Sequence, residues 1–184
     1  MTKTPSTKEK LLQAARALFW TRGYSNVSVR DITGAAGVDA ALVSRYFGGK
    51  QGLFEATLAD IPAWDVLACD RENLLEKAVE SFTQPYNPQT DLVNPFTLLL
   101  ANVLDPVMGD KIRAFVQQGI ATPLAEKLGG VRAEEKAAML LAVLFGFALI
   151  RKNFQVKGLT TDTSLDDLRA QMMILGQTAV QSAP

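Results

Sequence analysis

The chain has no histidine and only one cysteine among its 184 residues. Lacking histidine, it lacks the commonest general base and the commonest metal ligand. No glycine-rich phosphate loop and no paired-carboxylate motif makes up for that. The expectation is therefore a protein that is not an enzyme and that holds no metal and no cofactor. The single Cys69 cannot form an internal disulfide, fits a reducing compartment, and reads as a small apolar residue on a helix face. Long apolar runs are missing too. The most apolar stretch, Ala137 to Ile150, has 14 residues, short of the ~20 that a membrane-spanning helix needs. The N-terminus, Met1 to Lys10, is polar and unlike a secretory leader. These absences point to a cytoplasmic protein with no membrane partner.

Net charge is also lacking, but only in sum. Residues 1–50 hold eight Lys/Arg against three Asp/Glu, whereas residues 51–184 hold eleven against sixteen. A basic head on an acidic body suits a module that meets phosphates, joined to one that does not. At 48% hydrophobic and 21% charged, the composition is that of a globular protein able to bury a core.

Apolar spacing predicts helices throughout, and no stretch alternates with period two for long enough to make a strand. After six residues read as disordered, Leu11, Leu12, Ala15, Leu18 and Phe19 line one face of a helix from Thr7 to Arg22, closed by Gly23. Leu53, Phe54, Thr57, Leu58 and Ile61 line another that begins at Lys50 and stops at Pro62. A long amphipathic helix is expected from Trp64 to Phe82, then a loop from Thr83 to Thr90. Asn94-Pro95 and Asp105-Pro106 read as helix starts, with a break expected at Pro123. The last two helices are expected over Ala133 to about Val156 and Ser164 to Gln181. The fold class is all-α, with a domain boundary expected at residue 50, between a basic domain over residues 1–50 and an acidic, all-helical one over residues 51–184.

The most informative stretch is Ser28 to Lys50. Ser28 can cap a helix with Asp31 three residues on, Gly37 permits a sharp turn, and Asp39 can cap a second helix over Ala40 to Phe47. Val29, Ile32, Ala36, Val38, Leu42, Val43 and Phe47 are spaced to share one core. This is a helix-turn-helix, whose second helix enters a DNA major groove. Ala40, Ala41 and Ser44 fall on the face opposite that core, where the alanines offer only apolar contact, for example to a thymine methyl. Arg30 and Arg45 can each make a bidentate contact to guanine or hold a phosphate. Lys50, at a helix start, suits a phosphate, and Ser28 and Tyr46 are hydroxyl donors. Val29 and Asp39 flank this set and complete the candidate interface. A scaffold protein that has lost DNA binding would also tolerate the bare Ala40 and Ala41; the retained Arg30, Arg45 and Lys50 argue against it.

Residues 7–54 resemble the N-terminal domain of the tetracycline-repressor (TetR) family of bacterial regulators. The likeness rests on Ala17-Leu18-Phe19, Gly23-Tyr24, Ser28 to Ile32, Ala36-Gly37-Val38, Tyr46-Phe47, Lys50 and Leu53-Phe54. It implies a three-helix DNA-binding head, a helical effector domain and a homodimer formed through the last two helices. It also implies phosphate contacts from Lys50 and Ser28 and a base contact from Arg30. Ser44 departs from the pattern, standing where a phosphate-contacting tyrosine is common, and Arg45 and Tyr46 stand where the family often has a tyrosine and a histidine.

The same resemblance implies a ligand cavity among the central helices. Trp64, Phe96, Asn102, Phe115, Gln118 and Phe147 are candidates to line it, as polar groups among aromatics. Small-residue stripes mark two helix faces able to approach a partner closely: Ala138, Ala142, Phe145, Gly146 and Leu149, then Leu168, Met172, Leu175 and Ala179. The overall expectation is a ligand-responsive transcriptional regulator, a repressor by the family's habit. It would bind a palindromic duplex operator as a homodimer and be released by a small-molecule effector.

Overall fold

The computed structural model describes residues 5–59, 61, 64–85, 95–160 and 164–181. Its helices are α1 (Thr7–Arg22), α2 (Val29–Ala36), α3 (Ala41–Phe47), α4 (Lys50–Ala59), α5 (Leu74–Phe82), α6 (Pro95–Asn102), α7 (Gly109–Val116), α8 (Thr122–Leu128), α9 (Ala133–Ala148), α10 (Lys157–Thr160) and α11 (Leu165–Val180). No strand occurs among the described residues, so the fold is all-α. The chain divides into two compact units, Met1–Ile61 with Gln89–Arg113, and Pro62–Pro88 with Ala114–Pro184.

In the first unit, Ser6 is ordered rather than part of a loose tail: it caps α1 through a reciprocal pair of bonds with Glu9. Leu11, Ala15 and Phe19 are buried as their spacing predicts, and Trp20 joins them. Around them lie Ile32 of α2, Val43 of α3 and Leu53, Phe54, Thr57 and Leu58 of α4. Each large apolar side chain so buried contributes about 1.5–3 kcal/mol. Val29, Ala36, Val38, Leu42 and Phe47 are only half-buried, because two short helices can turn only one edge each into so small a core.

The packing does not part at residue 50. Besides α4, the unit includes α6 and the start of α7, with Leu98, Met108 and Ile112 fully buried. At its C-terminus α1 comes close to α6. A Cβ on Gly23, which holds φ +80°, would lie 2.8 Å from the Ala101 carbonyl oxygen.

In the second unit, Leu74, Ala78 and Val79 of α5 pack with Leu124, Ala125 and Leu128 of α8, with Ala137, Leu140, Leu141 and Leu144 of α9, and with Met172 of α11. The helix expected from Trp64 begins only at Leu74, after two 3-10 turns at Asp65–Leu67 and Arg71–Asn73. A lysine explains the difference. The Lys127 ammonium donates to the Leu67 carbonyl at 2.9 Å and also to that of Cys69, both of which a continuous helix would have used.

At Pro123 the chain bends its hydrogen-bond register instead of breaking. Gln117–Ala121 form a π turn, in which the Thr122 N–H donates to the Gln117 carbonyl. The wider turn accommodates the proline, which has no N–H to give and crowds the preceding turn. A second π turn, Leu149–Asn153, extends α9. In it the buried Arg151 donates to the carbonyls of Phe82, Gln84 and Leu159. Ser164 caps α11, its hydroxyl accepting from the Asp166 N–H at 3.2 Å. Asn94, Pro62 and residues 86–90, expected to punctuate these helices, lie outside the described residues.

Two glycines separate backbone strain from helix propensity. Gly23→Ala combines a positive φ with a collision against backbone, and is expected to lower stability by about 1–3 kcal/mol. Gly34→Ala meets nothing within 4 Å inside α2 and is expected to raise stability by about 0.5–1 kcal/mol. Thermal melts of the two variants in one buffer should move in opposite directions.

Candidate nucleic-acid interface

The local sequence builds the interface from two capped helices and one turn. The Ser28 hydroxyl accepts from the Asp31 N–H at 3.1 Å, and the Asp31 carboxylate accepts from the Ser28 N–H at 2.7 Å and from its hydroxyl at 2.6 Å. Gly37 ends α2 in the left-handed conformation, φ 65° and ψ 40°, a geometry that costs a Cβ-bearing residue about 1–2 kcal/mol. Val38 then donates to the Thr33 carbonyl at 3.1 Å. The Asp39 carboxylate accepts from the Ala41 N–H at 2.7 Å and so opens α3. With Ile32 and Val43 anchoring the two helices inward, the opposite sides are left to solvent.

All ten candidate residues fall in this unit, at the cap and first turn of α2, in the turn before α3 and on α3 itself, and at the start of α4. Ser28, Arg30, Asp39, Ala40, Ala41, Ser44, Arg45 and Tyr46 are exposed, and Val29 and Lys50 are half-buried. The Arg45 guanidinium lies 5.9 Å from the Tyr46 ring. The Lys50 Nζ sits much closer to an aromatic face, 4.1 Å from the centroid of Tyr24. Burial there pulls the Lys50 ammonium's pKa down, while the charges of Asp105 and Asp31 pull it up. The Ser28 hydroxyl already has partners in the cap, so its free valence toward a phosphate is smaller than its exposure suggests. The arrangement offers cations and short side chains on one exposed face. It has the chemistry to grip a polyanion.

Tyr24 gave no signal of this kind in the sequence, nor did the partner that holds it. Asn102, expected to line a cavity, instead accepts from the Tyr24 N–H at 2.7 Å and donates to the carbonyls of Phe19 and Leu98 at 3.1 and 2.9 Å. It is fully buried. Every polar atom of the amide has a backbone partner, so the residue closes the end of α1 and offers nothing to a ligand. Asp105 acts alongside it, accepting from the Ser25 N–H at 2.9 Å.

The other cavity candidates are divided between the units: Phe96 lies in the first, and Trp64, Phe115, Gln118 and Phe147 in the second. Trp64 stands edge-on to Phe82, their centroids 5.9 Å apart, and its indole N–H reaches Ser81 at 3.4 Å. Gln118 is exposed, whereas Phe96, Phe115 and Phe147 are half-buried.

Of the two stripes assigned to a subunit contact, Ala138, Ala142, Gly146 and Leu175 are exposed, and Phe145, Leu149 and Ala179 are half-buried. Leu168 and Met172 are not available for that role, each being only 3% exposed within the chain's own unit. Met139 and Ile174, on the same helices, are also exposed, at 53% and 63%. Each lies one helical row from its stripe, a shift too small for spacing alone to resolve. Two adjoining apolar grooves run along α9 and α11, of about 300 and 380 Å³, sharing Val143 and Leu175. No helix among the described residues is long and apolar enough to cross a membrane.

The Asp31 carboxyl is held below its usual pKa by the Ser28 hydroxyl first and the Ser28 N–H second. A carboxyl so depressed stabilises the fold above its unfolded pKa, and this contribution disappears as pH falls through the folded value. Ser28→Ala should therefore melt below wild type at neutral pH, with the gap between the two narrowing in acid; a series of melts across the carboxylate range measures it.

Two family models match the chain: bacterial regulatory proteins of the tetR family over residues 11–57, and the tetracyclin repressor-like C-terminal domain over residues 72–177. A Bacillus subtilis protein described as "Probable HTH-type transcriptional regulator YttP" is 44% identical over 55 residues, which is 30% of this chain and 27% of that protein. The chain spans between 27% and 45% of the length of the curated relatives it matches. A TetR-like transcriptional regulator from Rhodococcus sp. RHA1 superposes with a TM-score of 0.68 at 17% identity, covering 97% of this chain and 98% of that one. NalD, the secondary repressor of the MexAB-OprM multidrug efflux pump in Pseudomonas aeruginosa, superposes at 0.66 with 21% identity, covering 92% and 95%. At such identities these two likenesses speak for the fold.

Proposed function

Because the chain belongs to the tetR family of bacterial regulatory proteins, a family of DNA-binding transcriptional regulators and not of enzymes, we propose that it is a ligand-responsive repressor that binds a palindromic operator in the cytoplasm as a homodimer. The observation that carries the reading is the exposure of Arg30, Arg45 and Tyr46 on α2 and α3, together with the half-buried Lys50 at the start of α4. Lys50 takes the role of a phosphate clamp and Arg30 that of a base reader. Arg45 and Tyr46 serve either purpose, and Ala40 and Ala41 permit close approach to the groove floor. Val29, Asp39 and Ser44 border the contact, and the Ser28 hydroxyl contributes more to the α2 cap than to DNA.

Two such heads would meet successive major grooves if a two-fold axis ran through the second unit. The exposed row of Met139, Leu175 and Ile174 on α9 and α11 supports that pairing, with Ala138, Ala142 and Gly146 allowing the helices to come close. The small-molecule effector would occupy the second unit, near Trp64, Phe115 and Phe147, and would favour a body geometry that releases the operator. That is a coupling between two binding equilibria.

Binding of the full chain to the DNA upstream of its own gene, titrated with salt, tests the central reading. Affinity should fall steeply with salt, as several condensed counterions are released; affinity indifferent to salt and sequence would refute it. Lys50→Ala is expected to weaken specific and random duplexes alike, by roughly tenfold, and to flatten the salt slope by about one counterion. Arg30→Ala is expected to cost about 1–3 kcal/mol on the operator and little on random DNA. For the subunit contact, Leu175→Glu should give a monomer in sedimentation equilibrium without lowering helix content. A dimer that survives this substitution would move the interface elsewhere.

A further inference from the structure

We propose that Tyr24 is a positioning residue for DNA binding, whose ring face holds the Lys50 ammonium ready for a backbone phosphate and whose own backbone is fixed by Asn102. The inference rests on the proposed role of Lys50 as a phosphate clamp.

A lysine side chain is long and free to rotate, and that freedom is lost when its ammonium is pinned against a phosphate. A contact that pins it beforehand reduces the loss. The Tyr24 ring provides one, with the Lys50 Nζ 4.1 Å from its centroid, well inside the ~6 Å reach of a cation–π attraction. The other such contacts of this unit are looser. Arg16 lies 5.2 Å from Trp20, Lys8 5.8 Å from Phe47, and Arg45 5.9 Å from Tyr46, which is itself exposed.

The ring is held from three sides. It stacks on Phe19 with centroids 5.6 Å apart and meets Phe54 edge-on at 5.3 Å. Its backbone N–H is donated to the buried Asn102 amide oxygen at 2.7 Å, and the next N–H, that of Ser25, goes to Asp105. Neither Asn102 nor Asp105 belongs to the helix-turn-helix. A segment some eighty residues downstream therefore fixes the platform on which the clamp rests.

Binding of the full-length chain to a short mixed-sequence duplex, measured across a range of salt, tests this with five proteins: wild type, Lys50→Ala, Tyr24→Phe, Tyr24→Leu and the double variant Tyr24→Leu/Lys50→Ala. Tyr24→Phe keeps the ring face and should match wild type. Tyr24→Leu keeps the backbone bond but loses the face, and should weaken binding about threefold to fivefold, the equivalent of a cation–π contact. Its salt slope should stay that of wild type, because Lys50 still reaches the phosphate. On the Lys50→Ala background Tyr24→Leu should have no further effect.

Equal losses for Leu and Phe, or a loss that persists without Lys50, would mean that Tyr24 is core only. Wild-type protein that shows no salt-dependent binding would remove the DNA-binding reading and this inference together. Normal binding with a Lys50 effect and no Tyr24 effect would remove the inference alone. If Tyr24→Leu does not fold, the Lys50 ε-methylene protons of wild type decide. Ring-current displacement upfield, kept on adding duplex, supports the proposal, and an ordinary lysine position overturns it.

Discussion

The head depends on one buried amide. The Asn102 side chain joins the Phe19 carbonyl, the Tyr24 N–H and the Leu98 carbonyl. The Phe19 carbonyl also accepts from the Gly23 N–H at 3.1 Å, so Asn102 adds a second bond at that helix end and gives the Tyr24 N–H, just past it, a partner. A buried amide with all its bonds made contributes modestly, whereas the backbone groups it serves would be costly to bury alone. With no apolar side chain able to substitute for it, Asn102 ties α6 to α1 more specifically than packing would. Ala101, whose carbonyl leaves no room for a side chain at position 23, occupies the same contact. The physical unit that presents α2 and α3 is accordingly larger than the motif that identifies it, since it takes in residues from 95 to 113.

That arrangement places two opposite demands on a small surface. Its outer face must be basic and bare, so that a duplex can come close, while its inner side must hold short helices that carry little burial of their own. α2 and α3 supply only Ile32, Thr33 and Val43 as buried residues. Their positions are set as much by caps as by packing, through the Ser28–Asp31 pair, the left-handed Gly37 and the Asp39 carboxylate. The division suits a surface that grips phosphates through a few cations and leaves its base contacts sparse.

Much of this was legible in the chain itself. The apolar faces of α1 and α4 and the caps at Ser28, Asp39 and Ser164 follow from spacing and from short polar residues just before helices. What escaped was decided by contacts distant in sequence. Nothing around Trp64 to Phe82 shows that Lys127 will take two of its carbonyls and delay α5 to Leu74. An asparagine inside Leu98 to Leu104 announces that it needs a partner, but a pocket and a helix end satisfy that need equally well on paper. For Leu168 and Met172 the ambiguity was rotational. A helix with apolar residues most of the way round has two plausible inner faces, and only its neighbours, Leu75 and Leu140 against Gly176 among them, choose between them.

The π turn before Pro123 has a consequence for how this segment tolerates change in length. It holds one residue more than an α-turn would and absorbs it locally, so that Leu124, Ala125 and Leu128, all buried in the second unit's core, keep nearly the phase of an uninterrupted helix. Removing one residue from 117–121 would return the segment to α winding with Thr122 still above Gln117, and those three side chains would keep facing the core. The turn is thus a slack link: α8 engages its core with the extra residue present and would still do so without it. Substitutions at the exposed Gln117, Gln118 and Gly119 touch no buried side chain, so the stretch should be free to vary in composition and by one residue in length.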